Sequence, residues 1–261
     1  MFAFNIVIHN INGEEYEDIE HDIFIYLQFL ESNGQILQRE FHLPTKLNEK
    51  YTITVVCPEK YSLKEENRNI YVKEYHRKIE YKSGQSIAFN SIGEGLEYPL
   101  PRYEVPKSSK FYVLMYGFSS PLLDGETQQG IPLYKIPYTD MDHQSFDNIW
   151  IWWHHHQALY RLWLSSQSLT ENFAQKQLED AFSEHNKMGR ELCKFIETKT
   201  GVPTYYFLFN YRNWTDQEDQ DRKCPITQKD WRIDRGNFGF FDFKCDESRL
   251  VSELNPNCSE I

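Results

Sequence analysis

A change from two-residue to helical spacing of apolar side chains constrains this fold more than any other feature of the sequence. Phe4, Ile6 and Ile8 occupy alternate positions, as on one face of a β-strand. From Tyr16 to Leu30 the apolar residues recur three or four positions apart, which indicates one face of a helix. A strand and a helix therefore follow one another at the start of the chain, and this succession predicts an α+β fold.

The same periodicities predict an α+β body over residues 1–212, with a mixed strand/helix unit first and a helical pair at about 145–200. Residues 84–130 are rich in proline and glycine, which predicts a loop-rich middle. Thr170 is a good N-cap for the second helix, and Gly201 supplies its C-terminal signal. Helical spacing carries His185, Met188 and Leu192 of this helix toward a core. Further strands are predicted at 35–42, 51–56, 69–75, 110–116 and 205–211.

The first helix of this pair carries a cluster of tryptophans followed by three histidines at 154–156. Helical spacing places Trp150 and Trp153 toward a core, with the histidines at its edge. Adjacent histidines on a helix point about 100° apart, so these three cannot bind one ion together. The alternative is a recognition surface that includes Trp152 and Trp153, because tryptophan is favoured at binding hot spots.

The charge of the chain favours a basic protein partner over nucleic acid. Its 28 lysine and arginine residues are outnumbered by 39 aspartate and glutamate residues, which gives a net charge of −11. Nucleic-acid binders normally carry excess positive charge, so we expect attraction to a cationic protein surface instead. Two acidic runs serve either a helix dipole and a solvated linker or the steering of such a partner. Their candidate partner-binding residues are Glu14, Glu15, Glu17, Asp18, Asp216, Glu218 and Asp219.

The sequence predicts a cytoplasmic protein without a membrane segment or a catalytic site. No apolar run reaches the roughly 18 residues that span a bilayer, and the N-terminus lacks the basic start of a signal peptide. Five cysteines at irregular spacing form no disulfide framework. Because no nucleophile elbow, Walker A loop or dinucleotide-binding glycine motif occurs, we expect no enzyme activity.

Residues 222–261 predict a small β subdomain, built like a zinc ribbon in which half the metal ligands are replaced. A ribbon needs two C-x2-C turns, whose four thiolates surround Zn²⁺ at roughly 2.3 Å. Cys224 and Cys245 keep the first position of each turn, whereas Thr227 and Ser248 hold the second. Neutral hydroxyls replace thiolates poorly, so we expect no zinc and no other cofactor.

Several further runs accompany these two turns, and they are spread over most of the chain. They are Asn33-Gly34-Gln35-Ile36, Pro132-Leu133-Tyr134-Lys135-Ile136-Pro137, Thr200-Gly201-Val202-Pro203-Thr204-Tyr205-Tyr206, Cys245-Asp246 and Arg249-Leu250-Val251-Ser252. Together they resemble a bacterial family named for a zinc ribbon and a proposed nucleic-acid-binding role. The resemblance implies zinc and contact with nucleic acid. This sequence departs from the family at both hydroxyl positions, and a metal site completed by Cys258 and a histidine stays open.

Two functional classes follow from the sequence. The first is a non-catalytic protein-binding module, most concretely an immunity (antitoxin-like) protein that binds a cognate bacterial toxin and occludes its active site. It rests on the acidic balance, the aromatic-rich scaffold and the missing catalytic motifs. The alternative is a zinc-ribbon protein with a nucleic-acid-associated role. An enzyme that uses the loop-rich middle is a third and weaker hypothesis.

Overall fold

The chain folds into helices and sheets, so the predicted α+β class is confirmed. It divides into two compact units, Met1–Glu104 with Pro132–Phe146, and Val105–Ile131 with Asp147–Ile261. This division differs from the predicted boundary between residues 212 and 222, because the tail belongs to the second unit. The computed structural model describes residues 1–12, 19–37, 43–94, 109–117, 120–139, 144–165, 169–211, 215–233 and 241–255.

The first unit is built on an antiparallel sheet with the strand order β2-β3-β1-β4. Its central strand β1 carries the alternating residues Phe4, Ile6 and Ile8, which are all buried. Strand β4 forms within the region 84–130, which the sequence predicts to be loop-rich. The strands are β1 (Phe2–His9), β2 (Thr45–Leu47), β3 (Lys50–Cys57) and β4 (Ala88–Glu94).

Two helices, α1 (Ile19–Ser32) and α2 (Ile70–Ser83), share one apolar core with β1 and β3. Helix α1 matches the predicted helical spacing. The strand predicted at 69–75 is wrong, because Asn69 caps α2 by accepting a hydrogen bond from the backbone N–H of Val72 at 2.9 Å. Such a cap satisfies an amide that the first helical turn leaves unpaired, and it stabilises the helix.

The strand predicted at 35–42 does not form over residues 35–37, and residues 38–42 lie outside the described ranges. Gln35 is fully buried, and its amide donates to the carbonyl of Ser62 at 2.8 Å. It also accepts a hydrogen bond from Asn33 Nδ2 at 2.9 Å. These buried amides hold the segment after α1 in a turn.

The second unit contains a mixed sheet with the strand order β6-β5-β7-β9-β8. The inner strands β5, β7 and β9 run parallel, and β6 and β8 pair antiparallel at the edges. The strands predicted at 110–116 and 205–211 are present but shorter, and the tail contributes two strands to this sheet. The strands are β5 (Tyr112–Leu114), β6 (Leu122–Asp124), β7 (Thr204–Phe207), β8 (Phe243–Cys245) and β9 (Leu250–Ser252).

The predicted helical pair of the second unit is interrupted in its second member. Ser183 accepts a hydrogen bond from Asn186 N and caps a new helix, while Asn186 Nδ2 donates to the carbonyls of Leu178 and Asp180. One side chain thus closes the end of one helix and another starts the next. None of the helices within the described ranges is long and apolar enough to cross a membrane. The helices are α3 (Asp147–Ser165), α4 (Leu169–Glu179), α5 (Glu184–Thr200) and α6 (Asp216–Asp221).

Candidate functional site

Helix α3 buries a different face from the one that the sequence predicts. Ile149, Trp152 and His156 are buried at helical spacing, whereas Trp150 and Trp153 are partly exposed. Trp152 is fully buried and therefore does not belong to a recognition surface. Trp153 keeps part of its ring accessible, so its place in such a surface stays a prediction.

The buried face of α3 meets α5 through a pair of histidines, His156 and His185, which we call the histidine pair. His156 Nδ1 lies 3.0 Å from His185 Nε2, and both side chains are buried. The indole of Trp152 stacks on His185 with the ring planes 8° apart. The ring of Tyr116 stacks on His156 with an angle of 15°. The two imidazoles therefore share one hydrogen bond, and the rings of Trp152 and Tyr116 stack on them.

Burial keeps both imidazoles of the histidine pair neutral. It lowers the pKa of His156 to about 3, and the neighbouring His185 adds to this effect. It lowers the pKa of His185 to about 4, with a further contribution from the nearby His155. One ring must donate and the other must accept the shared hydrogen bond. Nδ1 of His185 is buried and has no hydrogen-bond partner among the described residues.

A glycine on α5 allows this close approach between the helices and the sheet. A Cβ atom at Gly189 would lie 2.1 Å from a ring carbon of Tyr206 and 2.8 Å from Nε1 of Trp152. The hydroxyl of Tyr206 donates to Asn186 Oδ1 at 2.6 Å. Sequence reasoning assigned His185 to the core but did not find its partner. The spacing of Trp152 and His156 on one helical face was the available signal.

His185 lies in the wall of an open groove of about 550 Å³ between α3, α4 and α5, which we call the helix groove. Phe173, on α4, is 56% exposed and is the largest apolar side chain of this lining. On α3, Ile151 and Leu162 are also exposed and share a helical face with the groove residues. The lining is mostly apolar, through Ala158, Leu159, Phe173 and Met188, with polar groups from His155, Gln177, Glu184 and His185.

The acidic candidates of the tail prove to have structural partners where the structure describes them. Asp219 is fully buried, forms an ion pair with Arg222 at 3.0 Å and accepts hydrogen bonds from Asn210 Nδ2 and Asn255 N. It is therefore not available at a surface. Glu218 is exposed but takes part in the capping box of Thr215 at the start of α6.

The remaining acidic candidates are not assigned a position. Glu14, Glu15, Glu17 and Asp18 lie outside the described residues, as does the side chain of Asp216. Their role in steering a partner stays a prediction.

The four positions of the predicted ribbon turns come together in the second unit, and we call Cys224, Thr227, Cys245 and Ser248 the knuckle cluster. Cys224 Sγ lies 3.3 Å from Ser248 Oγ, and Thr227 Oγ1 lies 3.6 Å from Cys245 Sγ. Burial raises the pKa of the Cys245 thiol. Hydrogen bonds with Ser248, Thr227 and Cys224 lower the same pKa, and together their effect exceeds that of burial. The pKa of Cys245 therefore lies below its ordinary value.

The two turns of the knuckle cluster have matching backbones. Gln228 follows the first turn with φ of 58°, and Arg249 follows the second with φ of 53°. Both residues thus adopt the left-handed conformation one position after a hydroxyl residue. The segment after the first turn pairs with β8, because Lys244 N donates to the carbonyl of Trp231 at 2.7 Å. Cys258 lies outside the described residues, so its role as a further ligand stays open.

Family comparisons divide the chain into three consecutive regions, each described as a domain of unknown function. The DUF8589 model matches residues 1–93, the DUF2310 model matches 104–209 and the DUF8594 model matches 214–258. The histidine pair and the helix groove fall within the second region, and the knuckle cluster falls within the third. These descriptions mention neither a metal nor nucleic acid, so the zinc-ribbon resemblance stays a prediction.

Two proteins of Haemophilus influenzae, each described as uncharacterized, are similar to this chain. The first is 31% identical over 236 residues, which cover 86% of this chain and 87% of the relative. The second is 36% identical over 138 residues, which cover 53% of this chain and 66% of the relative. No solved structure matches the chain significantly.

Proposed function

We propose a function from one premise: the chain belongs to the same family as the Haemophilus influenzae protein that it matches over 87% of that protein's length. In this proposal the chain is a non-catalytic protein-binding module that captures a basic protein partner. Its most concrete form is an immunity (antitoxin-like) protein, which binds a cognate bacterial toxin and occludes the toxin's active site.

The helix groove is the single observation that carries the proposal. It is open and mostly apolar, and exposed side chains on two helices border it. Protein partners commonly lay an amphipathic helix into such a groove and anchor it through apolar side chains.

The net charge of the chain indicates which kind of partner the groove binds. With a net charge of −11, the chain attracts cationic surfaces over long range and repels nucleic acid. Glu184 lies in the groove lining with an exposed side chain that already pairs with Lys187. We therefore assign the groove to an amphipathic segment that combines apolar anchors with lysine or arginine.

A two-stage experiment tests this function. The tagged full-length chain serves as bait, and the captured protein is then purified and mixed with the chain for size-exclusion chromatography. The proposal expects a 1:1 complex that weakens as the salt concentration rises. It also expects that co-expression of the chain suppresses the toxicity of the partner. The absence of any tight, salt-sensitive protein partner rules out the proposal.

Two matched substitutions locate the interface. Phe173→Ala removes an exposed phenylalanine from the groove lining and is expected to weaken the complex by at least about tenfold, as for a buried aromatic anchor. Phe24→Ala removes a phenylalanine of similar exposure from α1 in the other unit and should leave the affinity unchanged. Equal effects of both substitutions would contradict the assignment to the groove.

The nucleic-acid alternative draws its support from the knuckle cluster, because its four positions converge as ribbon ligands would. It predicts about one zinc ion per chain and a gel shift with DNA or RNA at physiological salt. Elemental analysis and a gel-shift assay therefore separate the two functions.

A further inference from the structure

The knuckle cluster brings two thiols and two hydroxyls close to one another. The Cys245 thiol is in hydrogen-bond contact with the side chains of Cys224, Thr227 and Ser248. Cys224 is fully buried and Cys245 is 7% exposed, whereas both hydroxyl residues are partly exposed. The hydroxyl residues therefore form the side of the cluster that is nearer to solvent.

A structural zinc ion does not fit the donors that this cluster offers. A tetrahedron with metal–sulfur bonds of about 2.3 Å has edges of about 3.8 Å, close to the observed separations of 3.3 and 3.6 Å. Two edges of the cluster thus come near those of a tetrahedral site, but two of its corners are neutral hydroxyls. Structural zinc sites are closed by four strong ligands, which are thiolates, imidazoles or carboxylates. The chemistry of the donors, and not their spacing, disfavours zinc here.

The same donor set suits a softer ion. Soft thiolate ligands select Cu(I), which is a d¹⁰ ion and is satisfied by two thiolates without further strong donors. We propose that Cys224 and Cys245 bind one Cu(I) ion between them, as a two-coordinate dithiolate, independently of the protein-binding function. Binding replaces two S–H bonds with two Cu–S bonds and releases two protons to solvent. The copper is Cu(I) before and after, so the step needs no oxidant or reductant.

The surroundings of the cluster fit the charge that this step creates. Two thiolates with one Cu(I) carry a net charge of −1. The ion pair with Glu247 raises the pKa of Lys229, and the charge of the nearby Cys245 adds a smaller part. The hydroxyls of Thr227 and Ser248 can donate hydrogen bonds to the thiolate sulfurs, since both already lie within reach of them.

The test titrates the reduced, metal-free full-length chain with Cu(I) under anaerobic conditions, in competition with a chromogenic Cu(I) chelator. One Cu(I) per chain is expected. Cys224→Ser and Cys245→Ser should each lower the Cu(I) affinity by at least about 100-fold, more than the loss of an outer-shell contact to a metal ligand usually does. The buried thiols Cys57 and Cys193 provide matched controls, because Cys57→Ser and Cys193→Ser should leave the affinity unchanged.

A second measurement uses the natural chain, so its result does not depend on whether a variant folds. Bound Cu(I) should protect Cys245 of the natural chain, the more accessible of the two thiols, from alkylation, as read by mass spectrometry of the labelled peptides. The proposal is overturned if the chain fails to compete for Cu(I), or if Cys258→Ser abolishes binding. Protection of other cysteines would also overturn it, as would Zn²⁺ displacing Cu(I) at equal concentration.

Discussion

At the residue scale, the histidine pair makes the second unit sensitive to acid. Burial lowers the pKa of His156 to about 3 and that of His185 to about 4, from an ordinary value of 6.5. Because both folded values lie below the unfolded one, the unfolded chain binds more protons between pH 6.5 and about 4. The stabilisation from the neutral pair is therefore complete above pH 6.5 and is lost as the pH falls through this window.

We predict that lowering the pH from 7 to 5 costs about 2 kcal/mol of unfolding free energy for each histidine of the pair. His156→Asn keeps a hydrogen-bonding group near the position of Nδ1 but cannot titrate. The slope of the unfolding free energy against pH should therefore fall by about one proton in this variant. Urea denaturation at a series of pH values measures that slope.

The control for this prediction is His21→Asn, which removes an exposed histidine from α1 in the other unit. Its pH slope should equal that of the natural chain. Carboxylates become protonated at lower pH in all three proteins, so their contribution to the slope is the same in each and cancels in the comparison. An unchanged slope in His156→Asn would mean that His156 is not held neutral by burial.

The histidine pair also marks where prediction from the sequence stops. Periodicity placed His185 in the core, and the structure agrees. Its partner His156 lies 29 residues away on another helix, and no local pattern encodes that contact. The knuckle cluster differs, because the spacing within each turn is a local property. The sequence therefore identified its four positions, which the structure brings together.

At the element scale, the packing of α5 on the sheet depends on one glycine. Gly189→Ala ordinarily stabilises a helix by about 1 kcal/mol. Here the added Cβ would lie 2.1 Å from the ring of Tyr206, a distance that forces the ring or the helix to move. Overpacking of a core usually costs about 1–3 kcal/mol. We therefore predict a net loss of about 1 kcal/mol of unfolding free energy, the middle of the range that these two effects give together, measured by thermal and urea denaturation.

An exposed position on the same helix separates packing from helix propensity. Glu191→Ala changes the propensity in the same direction but adds no atom to the interface, and it breaks only an exposed ion pair with Lys194. Its effect should stay within about 0.5 kcal/mol. If Gly189→Ala matched it, the close approach of α5 to Tyr206 would not exist in solution.

The knuckle turns can be tested as a metal scaffold by restoring their missing thiols. Thr227→Cys combined with Ser248→Cys supplies four thiolates at positions whose present separations are 3.3 and 3.6 Å. We predict that this double variant binds one Zn²⁺ per chain and that zinc raises its melting temperature. Elemental analysis and thermal denaturation with and without a chelator provide the measurement.

The natural chain is the control for this restoration, and it should show neither effect with zinc. Adding Cys224→Ser to the double variant should reduce zinc affinity again, because one thiolate of the tetrahedron is lost. A double variant that binds no zinc would contradict the convergence of the two turns.

The helix and strand boundaries show which elements the periodicity of the sequence predicts and which it misses. Alternation identified β1, and helical spacing identified α1. The error at 69–75 arose because Asn69 acts as a cap, so the apolar residues after it lie on a helix. The break before α5 depends on Ser183 and Asn186 side chains that bond backbone groups, which periodicity does not register.

At the scale of the whole molecule, much of the acidic charge is paired within the units. Asp22 pairs with Lys78 and Lys82, and Glu197 pairs with Arg249. These acids stabilise the fold and present little free charge to a partner. Acids still outnumber lysine and arginine and leave a net charge of −11. Under the proposed function, the resulting field acts on the approach of the partner, and the apolar helix groove sets how long the partner stays bound.

This separation yields a kinetic prediction for the complex with a purified basic partner. Raising NaCl from about 50 mM to about 500 mM shortens the screening length several-fold, so the association rate constant should fall at least tenfold, about the lower limit for electrostatic steering. Phe173→Ala should instead raise the dissociation rate and leave the salt dependence of association unchanged. Surface plasmon resonance at several ionic strengths measures both constants. If the association rate constant does not depend on the salt concentration, the acidic charge does not contribute to recognition. Binding would then depend on the groove alone.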